Sequence, residues 1–394
     1  MFESLQTMPA DAILGLIAEY RNDPRPNKID LGVGVYRNAV GETPVLATIK
    51  KAEQRLLRTQ TSKTYIGTAG DAAFNTAVQA MTFAGAVPDD RLVTIQTPGG
   101  SGSLRVAAGL LLRAREDATV WFGEPTWANH TPLLGGAGLT LKPLPYYDPE
   151  KHIINIDAML DTLRAIPQGD VILLHGCCHN PSGFDPSEAE WREIADVIAE
   201  RELLPFIDLA YQGLARNIDD DAFAIRHLAS LVPEMIVSTS CSKNFGLYRD
   251  RVGSLSLMSA TAESLGVLAS QANNYVRTVY SMPPDHGAAA VSIILADDKL
   301  RAEWLVELKD MRDRLKAMRG LLYNALLEKA PGQDFSHLAR ANGMFCFLGV
   351  SAENIVRLKK DFGIYMVDDS RINVAGITAD NVEYLSDSIA AVLQ

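Results

Sequence analysis

Short apolar runs alternate with longer stretches of helical spacing through the middle of the chain. Residues 92–96, 119–122, 171–174, 206–208, 236–239 and 252–258 are dominated by aliphatic and β-branched side chains and read as strands. Residues 103–115 and 188–201 carry apolar positions three and four apart and read as helices between them. This alternation predicts an α/β fold, a mainly parallel sheet covered by helices on both faces. In such sheets ligands bind beyond the carboxyl ends of the strands. The polar clusters of the chain fall at those ends: 99–102, Trp127, 175–180, 208–211 and 240–243.

The flanks read differently. Residues 10–20 and 50–59 have helical spacing, and the proline-rich stretch 22–26 reads as an extended connector. After about residue 295 a long helical pattern covers 298–329, followed by a mixed region with a strand at 372–374 and a final helix. We expect a smaller α+β domain there, with the long helix bridging. The expected division is an N-terminal arm and part of the small domain over 1–43, a large domain over 44–310, and the small domain over 311–394. No repeat and no low-complexity tract interrupts the pattern.

Composition narrows the class. A chain of 394 residues is long enough for one large and one smaller core. The hydrophobic and charged shares, 47% and 22%, are those of an ordinary globular protein. A net charge of -11 without a basic block argues against nucleic acid or an anionic membrane as the partner. The four cysteines, Cys177, Cys178, Cys241 and Cys346, show no disulfide spacing and fit a reduced, cytoplasmic setting. The start Met1-Phe2-Glu3-Ser4 lacks a signal-peptide pattern, and apolar stretches such as 289–296 are too short to span a bilayer.

The chemistry concentrates around Lys243, in Ser240-Cys241-Ser242-Lys243-Asn244-Phe245-Gly246, with Arg251 shortly after. A lysine past a buried strand can condense with an aldehyde, and Ser240 with Arg251 can hold a phosphate. Alone, the run is as well read as a surface lysine in a turn. Asp208 ends an apolar run, where a carboxylate needs a cationic partner such as a protonated pyridine nitrogen. The plainer reading is a turn cap. Tyr211 and Asn180 can donate to a phenolate oxygen. Otherwise they are a sheet-edge tyrosine and a turn residue before Pro181.

Gly99-Gly100-Ser101-Gly102 follows a strand and opens a helix, a natural phosphate site when something else calls for one. Trp127 is either a stacking plate or core. Arg371, alternating with apolar residues, and Arg277 are candidate carboxylate clamps. For both, a structural ion pair is the alternative.

Taken together, residues 30–36, 63–67, 97–102, 175–183, 208–213, 240–248, 251–253 and 370–376 resemble the class I aminotransferases of the aspartate and aromatic amino acid type. These are fold-type I enzymes dependent on pyridoxal phosphate. The resemblance runs nearly the whole length. It implies that Lys243 carries the cofactor and moves the substrate's α-proton. It implies Asp208 at the pyridine nitrogen, with His130 and His175 behind it. Tyr211 and Asn180 would hold the ring oxygen, and Trp127 would stack on the ring. Gly100, Ser101, Ser240 and Arg251 would hold the phosphate, with Tyr65 from a neighbouring subunit. Arg371, Asn180 and Gly34 would bind the α-carboxylate. Arg277, also from the partner, would face a dicarboxylate side chain. A homodimer with shared sites and ping-pong kinetics follows.

Thr64 and Met282 stand where asparagines are common in the aspartate type, and Ser101 where threonine is. A less polar wall suits aromatic side chains. We therefore expect transamination of tyrosine, phenylalanine, tryptophan and aspartate with 2-oxoglutarate, a narrow aspartate aminotransferase being the alternative. A lyase or decarboxylase on the same scaffold is disfavoured by the paired arginines. A metal site at His175, Cys177, Cys178 and His179 lacks a second ligand pair, and a Ser240/Lys243 acyl-enzyme lacks its companion motifs. A non-catalytic cofactor-binding regulator would need an added sensor or DNA-binding segment. The charged runs 219–221 and 309–319 read as solvated faces.

Overall fold

The computed structural model describes residues 1–7 and 12–394. Seven strands form the central sheet: β1 (Leu92–Pro98), β2 (Thr119–Glu124), β3 (Thr140–Pro145), β4 (Val171–His175), β5 (Leu204–Leu209), β6 (Met235–Ser240) and β7 (Val252–Met258). Their order across the sheet is β1-β7-β6-β5-β4-β2-β3. The β3, β2, β4, β5 and β6 neighbours run parallel, and β7 lies antiparallel between β6 and β1.

Alternation along the strands splits the core in two. Val171 and Leu173 of β4, Phe206 of β5 and Ile236 of β6 join one cluster with Leu104, Ala107 and Leu111 of the helix Gly99–Ala114. Their neighbours Ile172, Leu174, Ile207 and Val237 join the other, with Phe74, Val78, Ile194 and Ile198. Strands buried on both faces need near-continuous apolar sequence, which is how these read. The expected mainly parallel α/β sheet is what forms.

The sequence missed β3. It carries Pro143 and Pro145 and is largely exposed. Proline is tolerated there because β3 is the edge strand, pairing only with β2. The helix expected over 103–115 begins four residues earlier, so Gly99 to Gly102 form its first turn. The helix expected over 10–20 is observed over Ala12–Asn22, and positions 10 and 11 lie outside the described residues.

The helix Asp298–Lys329 has the expected bounds. Asp297 caps it by accepting from the amides of Lys299 and Leu300. Trp304, Leu308, Met311, Leu315, Leu322 and Leu326 bury one stripe along it. Beyond it, Phe345–Phe347 pairs antiparallel with Arg371–Asn373, and Ile364–Tyr365 pairs parallel with Ile29–Asp30. The N-terminal strand thus joins the C-terminal part of the fold.

The two charged runs need correction. Asp221 is buried, and its carboxylate accepts from the amides of Gly213, Ala215 and Arg216. Arg319 is buried too and donates to the Gly343 carbonyl. Each long or acidic side chain goes inward because it satisfies backbone groups that no strand or helix would.

Candidate active site

A cavity of about 170 Å³ opens at the carboxyl ends of β4, β5 and β6. Its wall includes Gly34, Gly100, Ser101, Trp127, His175 and Asn180, and its floor Asp208, Tyr211, Ser240, Lys243 and Arg251. Residues from six separate stretches of chain converge because each ends a strand or follows one.

Asp208 is buried near the end of β5, level with His175 on β4. His130 Nε2 lies 3.0 Å from Asp208 Oδ2, and His130 Nδ1 lies 2.7 Å from Thr126 Oγ1. Burial pushes the Asp208 carboxyl up, but the His130 hydrogen bond, with the fields of His130, His175 and, last, Lys243, outweighs this and holds it below the usual range. His175 stays neutral, its pKa lowered to about 3 by burial and by His130. The ligand-type atoms of His130, His175 and Asp208 lie within 4.8 Å of one another. The cysteines considered with His175 do not join this group; His179 Nδ1 instead meets Ser182 Oγ at 2.8 Å.

Lys243 follows β6. It is half-buried by area, with Nζ 4.8 Å from the centre of the Tyr211 ring. Loss of water lowers its ammonium to about 8, against the opposing pull of Asp208. Burial raises the Tyr211 phenol above its ordinary value. Tyr211 in turn meets Phe345 edge to face at 6.2 Å, which puts Phe345 behind the site and in the core.

At the phosphate-sized end, the helix Gly99–Ala114 points its amino terminus at the cavity. Gly99 has φ +71, and a Cβ there would meet Arg251 Nη2 at 2.4 Å. The bare backbone is what lets the guanidinium approach. Among the described residues, Arg251 Nη1 donates only to uncharged oxygens, the Tyr248 carbonyl at 3.1 Å and Ser242 Oγ at 3.5 Å.

Arg371 is buried beside the cavity. Nη1 donates to Asn180 Oδ1 at 3.2 Å and Nη2 to the Gly32 carbonyl at 2.9 Å, while Nε has no partner among the described residues. A buried guanidinium that meets uncharged oxygens and keeps an idle donor has the charge and the donor capacity to take an anion.

The model of the family "Aminotransferase class I and II" matches residues 26–389. The chain belongs to the class I and II aminotransferases. It is similar to the aspartate aminotransferase of Escherichia coli, 46% identical over 100% of both chains. It is also similar to the aromatic-amino-acid aminotransferase of Pseudomonas aeruginosa, 43% identical over 99% of this chain and 98% of the other. Among solved structures, an aromatic-amino-acid aminotransferase from Burkholderia pseudomallei, covalently bound to pyridoxal phosphate, superposes with a TM-score of 0.97 at 38% identity, covering 100% of both chains.

Pyridoxal phosphate is the cofactor of this family, and the aminotransferase's own residues fit it. A half-buried lysine of lowered pKa, a buried carboxylate, and an arginine at a helix start have the chemistry to take its aldehyde, ring nitrogen and phosphate respectively. Tyr65 and Arg277 stand apart. Both are exposed and neither lines the cavity; Arg277 donates to Ser281 Oγ in its own chain.

Three contributors escaped the sequence reading. Thr126 orients His130, a role an isolated Glu-Pro-Thr run does not announce. Trp304 stacks on Phe245 with ring centres 4.3 Å apart and donates to the Asn244 carbonyl at 2.8 Å, fixing the turn just after Lys243. Its only signal is membership of an apolar stripe. Tyr248 lines the cavity and accepts from the amide of Tyr36.

Proposed function

We propose that this aminotransferase uses tyrosine, phenylalanine, tryptophan and aspartate as amino donors and 2-oxoglutarate as acceptor, in a ping-pong sequence. The observation that carries the reading is Arg371, a buried cation with an idle Nε beside the Lys243 cavity. It supports a substrate held by its α-carboxylate within reach of a basic amine.

The roles follow from the chemistry of each group. Pyridoxal phosphate supplies an aldehyde that takes up the amino group and a cationic ring that accepts electrons from the α-carbon. Lys243 would hold the cofactor covalently and, as a free amine, would take the substrate's α-proton onto Nζ and give it back. Asp208, held by His130 with His175 behind it, would keep the ring nitrogen protonated. Tyr211 and Asn180 would donate to the ring oxygen, and Trp127 would stack on the ring. Gly100, Ser101, Ser240 and Arg251 bind the phosphate. Arg371, with Asn180 and the Gly34 backbone, binds the carboxylate.

Comparable similarity to aspartate and aromatic relatives supports a broad donor range, as do Thr64 and Met282 in place of the asparagines common in the aspartate type. The narrow aspartate reading draws on the E. coli relative and on Arg277. Steady-state kcat/KM for aspartate, tyrosine, phenylalanine and tryptophan with 2-oxoglutarate separates the two. The broad reading expects aromatic values within about tenfold of aspartate. Aromatic turnover a thousandfold below aspartate, on the order of 4 kcal/mol, sinks it.

A homodimer completes the site. Tyr65 is 90% exposed, and the apolar side chains of Phe2, Leu5, Leu57, Val267 and Val279 also lie open and are available to a partner subunit. Tyr65 and Arg277 then reach the partner's phosphate and substrate sites. We place the division between larger and smaller domains as expected, 44–310 against 1–43 with 311–394. No helix among the described residues is long and apolar enough to cross a membrane. The four free, buried thiols support a cytoplasmic setting.

A further inference from the structure

The loop from Leu31 to Arg37 carries Gly34 over the cavity, and its polar groups are satisfied almost entirely from one side. The Leu31 amide donates to the Tyr365 carbonyl at 2.7 Å. Asp30 Oδ1 accepts from the amides of Gly32 and Val33. Arg371 holds the Gly32 carbonyl, and Asn373 Nδ2 spans the carbonyls of Val33 and Val35 at 2.6 and 2.8 Å. All of these partners belong to the N-terminal strand or to the C-terminal part of the fold. They carry the loop as a unit with that part.

The amide of Tyr36 is different. It donates to Tyr248 Oη at 2.8 Å. Tyr248 sits on the lysine loop of the central sheet, and its carbonyl accepts from Arg251 Nη1. The second polar link across the same gap is Arg371 Nη1 to Asn180 Oδ1. A substrate carboxylate competes with that one, since it needs the same guanidinium. The Tyr36–Tyr248 bond uses no group a substrate would claim.

We propose that Tyr248 is a positioning residue: its phenol oxygen latches the Gly34 loop to the lysine loop and keeps the substrate-binding groups over the cofactor floor. This rests on the assignment of the cavity to cofactor and substrate. The latch acts on binding rather than on proton transfer, because it fixes where Gly34 and Arg371 stand and touches neither Lys243 Nζ nor Asp208.

Tyr248→Phe keeps the ring and removes the acceptor, leaving the Tyr36 amide without a partner. KM for both aspartate and 2-oxoglutarate is expected to rise about tenfold, the equivalent of about 1.4 kcal/mol, with a smaller fall in kcat. The visible absorbance of the bound cofactor should remain. Deuterium uptake over residues 31–37 of the holoenzyme, measured without substrate, should accelerate, while uptake around Lys243 should not. Unchanged KM together with unchanged uptake over 31–37 overturns the proposal. So does loss of cofactor absorbance, which would make Tyr248 part of the phosphate cup. The exchange measurement needs no substrate, so an error in the donor assignment leaves it standing.

Discussion

Lys243 carries an ammonium that ordinarily titrates near 10.5 and here titrates at about 8, lowered by burial and partly restored by Asp208. Only the neutral amine attacks an aldehyde. Capture of pyridoxal phosphate by the apoenzyme should therefore quicken about tenfold per pH unit below 8 and level off above it. Stopped-flow absorbance across pH checks this; a rate still climbing at pH 10 would mean an unshifted lysine. Asp208→Asn removes the anion that raises the lysine's pKa, so the plateau should begin at lower pH. The same variant should lose about a hundredfold or more in kcat, since a neutral amide does not hold a proton on the ring nitrogen. The polar residues that line the cavity were readable because polar residues ending apolar strands are conspicuous. Asp221 was not: three consecutive aspartates look alike in sequence, and only the third meets the amides of Gly213, Ala215 and Arg216.

At the scale of elements, β7 decides how the phosphate end is built. It runs against its neighbours and sets Gly253 level with Ser240 of β6 and Thr97 of β1. A Cβ at Gly253 would lie 2.6 Å from the Gly99 carbonyl carbon and 2.6 Å from the Thr239 carbonyl oxygen. Both are backbone atoms that no rotamer change can move aside. Gly253→Ala should push the start of the Gly99–Ala114 helix away from β6 and weaken cofactor affinity by about tenfold or more. Equilibrium dialysis of the variant against pyridoxal phosphate measures it, and wild-type affinity would show that the helix start can shift without cost. Buried strands and the helix Asp298–Lys329 were legible because their apolar positions recur at strand and helix spacing, although Arg319 interrupts the buried stripe of the helix. β3 was not, because an edge strand escapes the rule against proline that applies inside a sheet, and the short pairings of Ile29–Asp30 with Ile364–Tyr365 join residues far apart in the chain.

At the scale of the whole molecule, the proposed homodimer has Arg277 serving the partner's Lys243 rather than its own. Arg277 is exposed, lies outside its own chain's cavity, and ends the helix Ala262–Val279 next to exposed Val279. If it crosses to the partner, two separately crippled chains should repair each other. Lys243→Ala has no nucleophile in its own site but offers an intact Arg277. Arg277→Ala keeps Lys243 but offers no clamp for a side-chain carboxylate, so it should lose aspartate turnover while retaining most activity with phenylalanine. In a hybrid dimer one site pairs the intact lysine with the intact arginine, and the other has neither. Equal mixing with random exchange makes half the dimers hybrid, so aspartate activity should return to about a quarter of the wild-type level. Were Arg277 to serve its own chain, the intact lysine and intact arginine would never meet. Mixing would then leave aspartate turnover at the level of the two variants measured apart.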